Sequence, residues 1–255
     1  MSERNIEDIL HFRRDLSPFL VHLTRDYKNR TAKENLVSIL SQKQLTQNEE
    51  HVSDVRLSKR SKEASEKNDL KPYLNAISFT ETPLSEVHCL FDIRGREVNL
   101  KPYGLVFLKN RLQNRGVSPV LYINNWDDHA KFILDELATL MTQSSQFSHT
   151  LERLFPLFSV FGKRIYPPKK DQSPHLSANI DFSWEREWRY PYKFGHFMFS
   201  EEDDLFCGLC PHDEISFFKG QFPKLNFIDP LRSPAWYSKD LVKRRKELEM
   251  DHSVV

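Results

Sequence analysis

Glycine is scarce in this chain: seven residues in 255. Neither GxGxxG nor GxxxxGK[ST] occurs, which excludes the common glycine-rich phosphate loops. Cysteine is scarcer still, with only Cys89, Cys207 and Cys210. An odd count of three argues against a secreted disulfide framework. No apolar run reaches the length of a membrane span, and the charged start Met1-Ser-Glu-Arg-Asn-Ile-Glu-Asp lacks a signal-peptide core. These absences point to a cytoplasmic, reduced compartment and no membrane partner. Net charge is also lacking, at +1, so a global electrostatic case for nucleic acid fails and only local patches can carry one.

What the chain does have is phenylalanine, 19 residues, and enough length to bury a core without staples. Strands and helices alternate irregularly, which reads as an α+β fold. With no internal repeat and no evident linker, residues 1–255 read as one domain, with 192–255 as its C-terminal extension.

Residues 4–16 read as a short amphipathic helix, and Leu20-Val-His-Leu-Thr24 as a strand with His22 and Thr24 on one face. Thr31 and Glu34 form a capping box for a helix buried through Leu36, Ile39 and Leu40. Residues 46–71 are polar and read as a long loop containing the basic run Arg56–Lys62. Ala76–Thr80 reads as a strand presenting Ser78 and Thr80, with a helical turn or two between Pro83 and Phe91. Tyr103–Lys109 and Val117–Ile123 read as further strands, with a short helix between them stopping at Gly116. A long helix is expected over Asp127–Thr150, and a basic connector over Lys163–Lys170. Leu205–Cys210 and Glu214–Lys219 read as late strands. Asp240–Met250 reads as a helix with Leu241, Val242 and Leu248 facing inward.

The run Asp181-Phe-Ser-Trp-Glu-Arg-Glu-Trp-Arg-Tyr190 is the most distinctive stretch. Strand alternation puts Glu185, Glu187 and Arg189 on one face, and Trp184, Arg186, Trp188 and Tyr190 on the other. An aromatic face packed on a core could fix a carboxylate in a cleft, where it would steady a developing positive charge. The competing reading is a strand with surface ion pairs. His22 with Thr24, Ser78 with Thr80, and Glu185 with Glu187 together describe a cleft suited to a sugar-containing ligand. Cys207-Gly-Leu-Cys210 followed by His212 is half of a zinc site and lacks a second half, so no metal is expected. His88 and Cys89 are adjacent, and side chains of adjacent residues on a regular element point apart.

The blocks Ile77–Glu86, Tyr103–Lys109, Gly116–Ile123 and Trp184–Pro191, in this order, resemble the AbiGi abortive-infection family of phage-resistance proteins. That family in turn resembles diverged ADP-ribosyltransferases, including DarT-type toxins that modify nucleic acid. The resemblance implies a split β-sheet core flanked by helices, with NAD as substrate. It assigns catalysis to Glu187, with Glu185 orienting the acceptor or acting as base. It implies NAD contacts from His22, Thr24, Ser78 and Thr80. Arg25 is the alternative basic residue of the first strand, and Tyr103 the alternative second-motif residue. It further implies a nucleic-acid acceptor, mRNA or single-stranded DNA, met by Arg56–Lys62, Lys109–Arg115 and Lys163–Lys170, and an antitoxin partner. The rival reading is a non-catalytic antitoxin or phage sensor on the same scaffold.

Overall fold

The computed structural model describes residues 13, 15–46, 75–93, 98–124, 132–133, 136, 153–166, 176–180, 183–191 and 194–250. Most of the expected first helix, the 46–71 loop with its basic run, and nearly all of the 127–150 helix lie outside these residues. So do the side chains of 163–170.

In chain order the elements are β1 (Phe19–Leu23), α1 (Ala32–Gln42), β2 (Gln44–Leu45), β3 (Ala76–Thr80), β4 (Gly104–Leu108), α2 (Lys109–Gln113), β5 (Ser118–Pro119) and β6 (Leu121–Asn124). They continue with β7 (Phe158–Tyr166), β8 (Leu176–Ile180), β9 (Glu187–Pro191), β10 (Phe197–Met198), β11 (Leu205–Leu209), α3 (Ile215–Gln221), β12 (Phe227–Ile228) and α4 (Ser238–Glu247). This is a mixed α/β fold, as the sequence indicates. The chain divides into two compact units, one of residues 1–44, 79–115 and 198–255, the other of 45–78 and 116–197. Each unit is discontinuous in sequence, which is why no linker marks the division.

In the first unit the strands run β12-β11-β4-β1-β3, and the dividing point falls within β3. β1 pairs antiparallel with β4 from Phe19↔Leu108 to Leu23↔Gly104. β11 pairs antiparallel with β4, with a register shift between Leu205 and Cys207, and parallel with β12. Alternation sends Phe19, Val21, Val106 and Leu108 to one face, where they pack with Val87, Phe206, Leu209 and Ile228. The opposite positions Leu20, Leu105 and Phe107 are also fully buried, so both faces are covered. α1 begins with the expected capping box, in which the Glu34 N–H donates to Thr31 and the Glu34 carboxylate accepts from the Thr31 N–H. It ends at Lys43 in the left-handed region. Leu36 and Leu40 are buried, and Ile39 is only half-buried.

Two late elements differ from expectation. Glu214–Lys219 is no strand: Ile215–Gln221 forms α3. Period-two spacing would have paired Phe217 with Ile215. Instead Phe218 is fully buried against Phe227, while Phe217 is exposed. In α4, Leu241 and Leu248 pack inward, but Val242 is exposed. The third inward position is Arg244, which donates to the carbonyls of Glu201, Glu202 and Leu205. Those acceptors, close to the start of β11, let a buried guanidinium anchor the helix.

In the second unit β6 runs parallel to β7, and β7 antiparallel to β8. The expected strand over Val117–Ile123 is therefore two strands, because the Val120 N–H donates to Glu187 O while Leu121 starts pairing with Phe158. The Lys163–Tyr166 portion of the expected connector belongs to β7. β9 lies between β3 and β5, with Ser118↔Arg189 and Pro119↔Trp188 in register. Pro119 thus sits on an edge strand, where its missing N–H costs no ladder bond.

Candidate active site

β9 begins at Glu187, three residues after Trp184, where strict alternation would start it. Ser183–Glu185 is a 3-10 turn, closed by the Arg186 N–H donating to Ser183 O at 3.0 Å. Arg186 has φ +46°, a left-handed backbone that resets the chain before the strand. Glu185 is therefore not on a strand face with Glu187, and Trp184 is exposed instead of packing beneath. From Glu187 onward alternation holds. Trp188 and Tyr190 are buried, with the Tyr190 ring 5.0 Å from that of Phe197.

On the other face, Glu187 and Arg189 meet in a two-point ion pair. Arg189 Nε donates to Oε1 at 2.9 Å and Nη2 to Oε2 at 2.7 Å. The Arg189 side chain is 3% exposed and that of Glu187 17%. Nη1 donates to the carbonyl oxygens of Pro156 and Phe158 at 2.7 and 3.0 Å. These contacts tie the guanidinium to its own strand and to the segment Pro156–Phe158, and hold the carboxylate in one orientation. Ser78 completes the group: its hydroxyl donates to Glu187 Oε1 at 2.6 Å. The Glu187 backbone N–H donates to Tyr122 Oη at 3.2 Å. Burial pushes the Tyr122 phenol up to about 12.

Ser78 and Glu187, 109 residues apart, are thus brought together. Glu185 lies in the second unit, and the remaining candidates in the first. His22 packs its ring 5.7 Å from Phe79. Val21 pairs with Thr80, and directly paired residues share a face, so His22 lies on the opposite face from Thr80. Thr24, just past β1, donates its hydroxyl to the carbonyls of Ala32 and Tyr103. Arg25 stacks over Tyr27 at 5.5 Å. Thr80 bonds to Thr82 across 2.7 Å. Tyr103, which precedes β4, donates to Glu214 at 3.1 Å, and burial raises its pKa, with Glu214 adding to the effect. These hydroxyls are engaged within the first unit.

Arg189 is the site residue whose role sequence reasoning missed. The signal was present in its two-residue spacing from Glu187. Tyr122 carried no signal, because its contact exists only when β6 lies beside the start of β9. Cys207 and Cys210 are both buried free thiols. Burial raises Cys207 and pushes Cys210 up to about 12, and His212 is paired with Tyr237 at 3.3 Å.

Residues 43–203, more than half of the chain, match the model of a family described as abortive phage resistance protein AbiGi, antitoxin. The chain belongs to the AbiGi family. The match spans Ser78, Tyr122, Glu187 and Arg189, and excludes His22, Thr24, Arg25 and all of α4. No curated protein and no solved structure matches the chain. AbiGi membership puts the protein in phage defence by abortive infection. No helix among the described residues is long and apolar enough to cross a membrane.

Proposed function

We propose that this AbiGi protein transfers ADP-ribose from NAD to nucleic acid, RNA in the first instance, with Glu187 as the catalytic carboxylate. The observation that carries the reading is the 2.6 Å bond from Ser78 to Glu187, a hydroxyl supporting a carboxylate on neighbouring strands. A carboxylate next to a hydroxyl suits the diol of a ribose. In the reaction the bond between ribose C1′ and nicotinamide breaks, and its electron pair leaves with nicotinamide. Positive charge then develops on the ribose ring, where Glu187 stabilises it. The acceptor atom attacks C1′ and gives up its proton. Glu185, in the turn just before β9, is the candidate base. Arg189 fixes the orientation of the carboxylate through two hydrogen bonds.

A second reading has its own support. The same Arg189 pairing offsets the charge of Glu187 internally, as a structural ion pair does, and the family is described as antitoxin. On this reading the chain is a non-catalytic partner of a toxin.

One experiment separates the two. Purified protein is incubated with labelled NAD and an RNA, DNA and protein mixture, and each fraction is counted. Transfer predicts label in the nucleic-acid fraction, falling by about 100-fold or more in Glu187→Gln, with the circular dichroism spectrum unchanged. Label in no fraction, together with a stable complex with a toxin protein, would reject the transferase reading in favour of the antitoxin.

A further inference from the structure

The 3-10 turn Val87–Leu90 and the residue before it gather three different metal-binding side chains on one exposed surface of the first unit. We propose that Glu86, His88 and Cys89 form a site for a borderline divalent cation of the zinc class. The proposal is independent of the chemistry assigned to Glu187.

Side chains of adjacent residues on a regular element point apart, yet here those of His88 and Cys89 meet. In the 3-10 turn, at about three residues per turn, Cys89 comes into line with Glu86 three residues before it, and the His88 side chain reaches across so that Nε2 lies 3.5 Å from Cys89 Sγ. That spacing has a chemical meaning. Zinc–sulfur and zinc–nitrogen bonds of about 2.3 and 2.05 Å at a tetrahedral angle separate the two ligand atoms by about 3.6 Å. Ligand atoms of all three residues lie within 4.8 Å of one another, so the carboxylate needs only a rotamer adjustment to complete the set.

The imidazole is also oriented for the task. His88 Nδ1 lies 2.9 Å from Ser85 O. A carbonyl only accepts, so the ring proton sits on Nδ1 and the lone pair of Nε2 faces Cys89. A ring N–H held by a backbone carbonyl is the usual outer support of a metal-bound histidine. The turn itself is held firmly. Cys89 N–H donates to Glu86 O at 3.0 Å, and Glu86 N–H to Pro83 O at 2.8 Å. Val87 and Leu90 are buried and hold the turn against the core, while Glu86, His88 and Cys89 are exposed.

One sulfur, one nitrogen and one oxygen donor suit zinc, or cobalt as its spectroscopic substitute, better than magnesium or calcium. On binding, the Cys89 S–H proton goes to solvent, the thiolate sulfur bonds the metal, and water takes the fourth position. The buried pair Cys207 and Cys210 offers no such surface, since burial disfavours both thiolates.

The test is a cobalt(II) titration of the full chain, followed by absorption and then by zinc competition. One equivalent of cobalt should produce a thiolate-to-cobalt charge-transfer band that zinc abolishes. Cys89→Ala should lose the band, and His88→Ala should weaken cobalt binding by about tenfold or more. Cys210→Ala should retain both. Failure of the wild-type chain to give the band would overturn the site. So would a band that survives in Cys89→Ala, because the metal would then sit elsewhere.

Discussion

Glu187→Ala should destabilise the protein by about 3 kcal/mol, at the lower end of the cost of stripping one partner from a buried ion pair. The magnitude follows from the surroundings of Arg189. Its side chain is 3% exposed, so its charge cannot turn to bulk water. Among the described residues it keeps the acceptors Pro156 O and Phe158 O and loses both bonds to the carboxylate. Glu187 is itself 17% exposed, and the space it vacates can admit water, which keeps the loss from reaching the upper end. A change of that size lowers the melting temperature of a chain of this length by about 6–12 °C. Glu187→Ala combined with Arg189→Met removes the stranded charge and should recover a large part of the loss. Urea unfolding of the wild type, both single variants and the double variant gives the coupling directly, expected at about 2 kcal/mol or more. A Glu187→Ala protein within about 0.5 kcal/mol of wild type would refute the claim that this pair braces the second unit.

Stability should also fall at alkaline pH. Tyr122 is raised from 10.0 to about 12 and Cys210 from 9.0 to about 12, with burial the leading cause for both, and Tyr103 and Cys207 move the same way. The folded protein favours the neutral forms, so the unfolded chain releases these protons first. The stabilisation is complete below about pH 9 and is lost as pH rises through about 12. Urea midpoints should drop between about pH 8 and about pH 10.5, less so in Tyr122→Phe; an unchanged midpoint would contradict the shifts. Gly104→Ala should cost about 2 kcal/mol or more, because the new Cβ would press on the His22 carbonyl oxygen across the β1–β4 ladder. Hydrogen exchange should show protection lost in β1 and β4, and full protection in the variant would argue against that contact.

Local features were legible because their causes are local. The Thr31–Glu34 capping box needs only three residues of spacing. The β1, β3 and β11 strands carry their own alternation or apolar density. Gly116, at φ +90°, sits in the turn that follows the short helix ending at Gln113. Errors arose where a single backbone choice changed the phase. The left-handed Arg186 removes Glu185 from the strand, and the 3-10 turn at Val87–Leu90 brings Cys89 into line with Glu86. Short apolar runs were ambiguous in period, and Phe218 is helical because a pocket beside Phe227 accepts it.

The sequence by itself determined the mixed α/β class and the family, and through the resemblance singled out Ser78 and Glu187 as separate site candidates. Only tertiary structure decided what that carboxylate touches. Its hydroxyl partner comes from β3 and its guanidinium partner from β9, while Tyr122 of β6 meets its backbone N–H and the segment around Pro156 holds Arg189; these meet only once the strands assemble. Burial then determines which polar groups must satisfy one another. Arg189, shut away from water, has to find its acceptors within the protein, and Glu187 supplies a charged one.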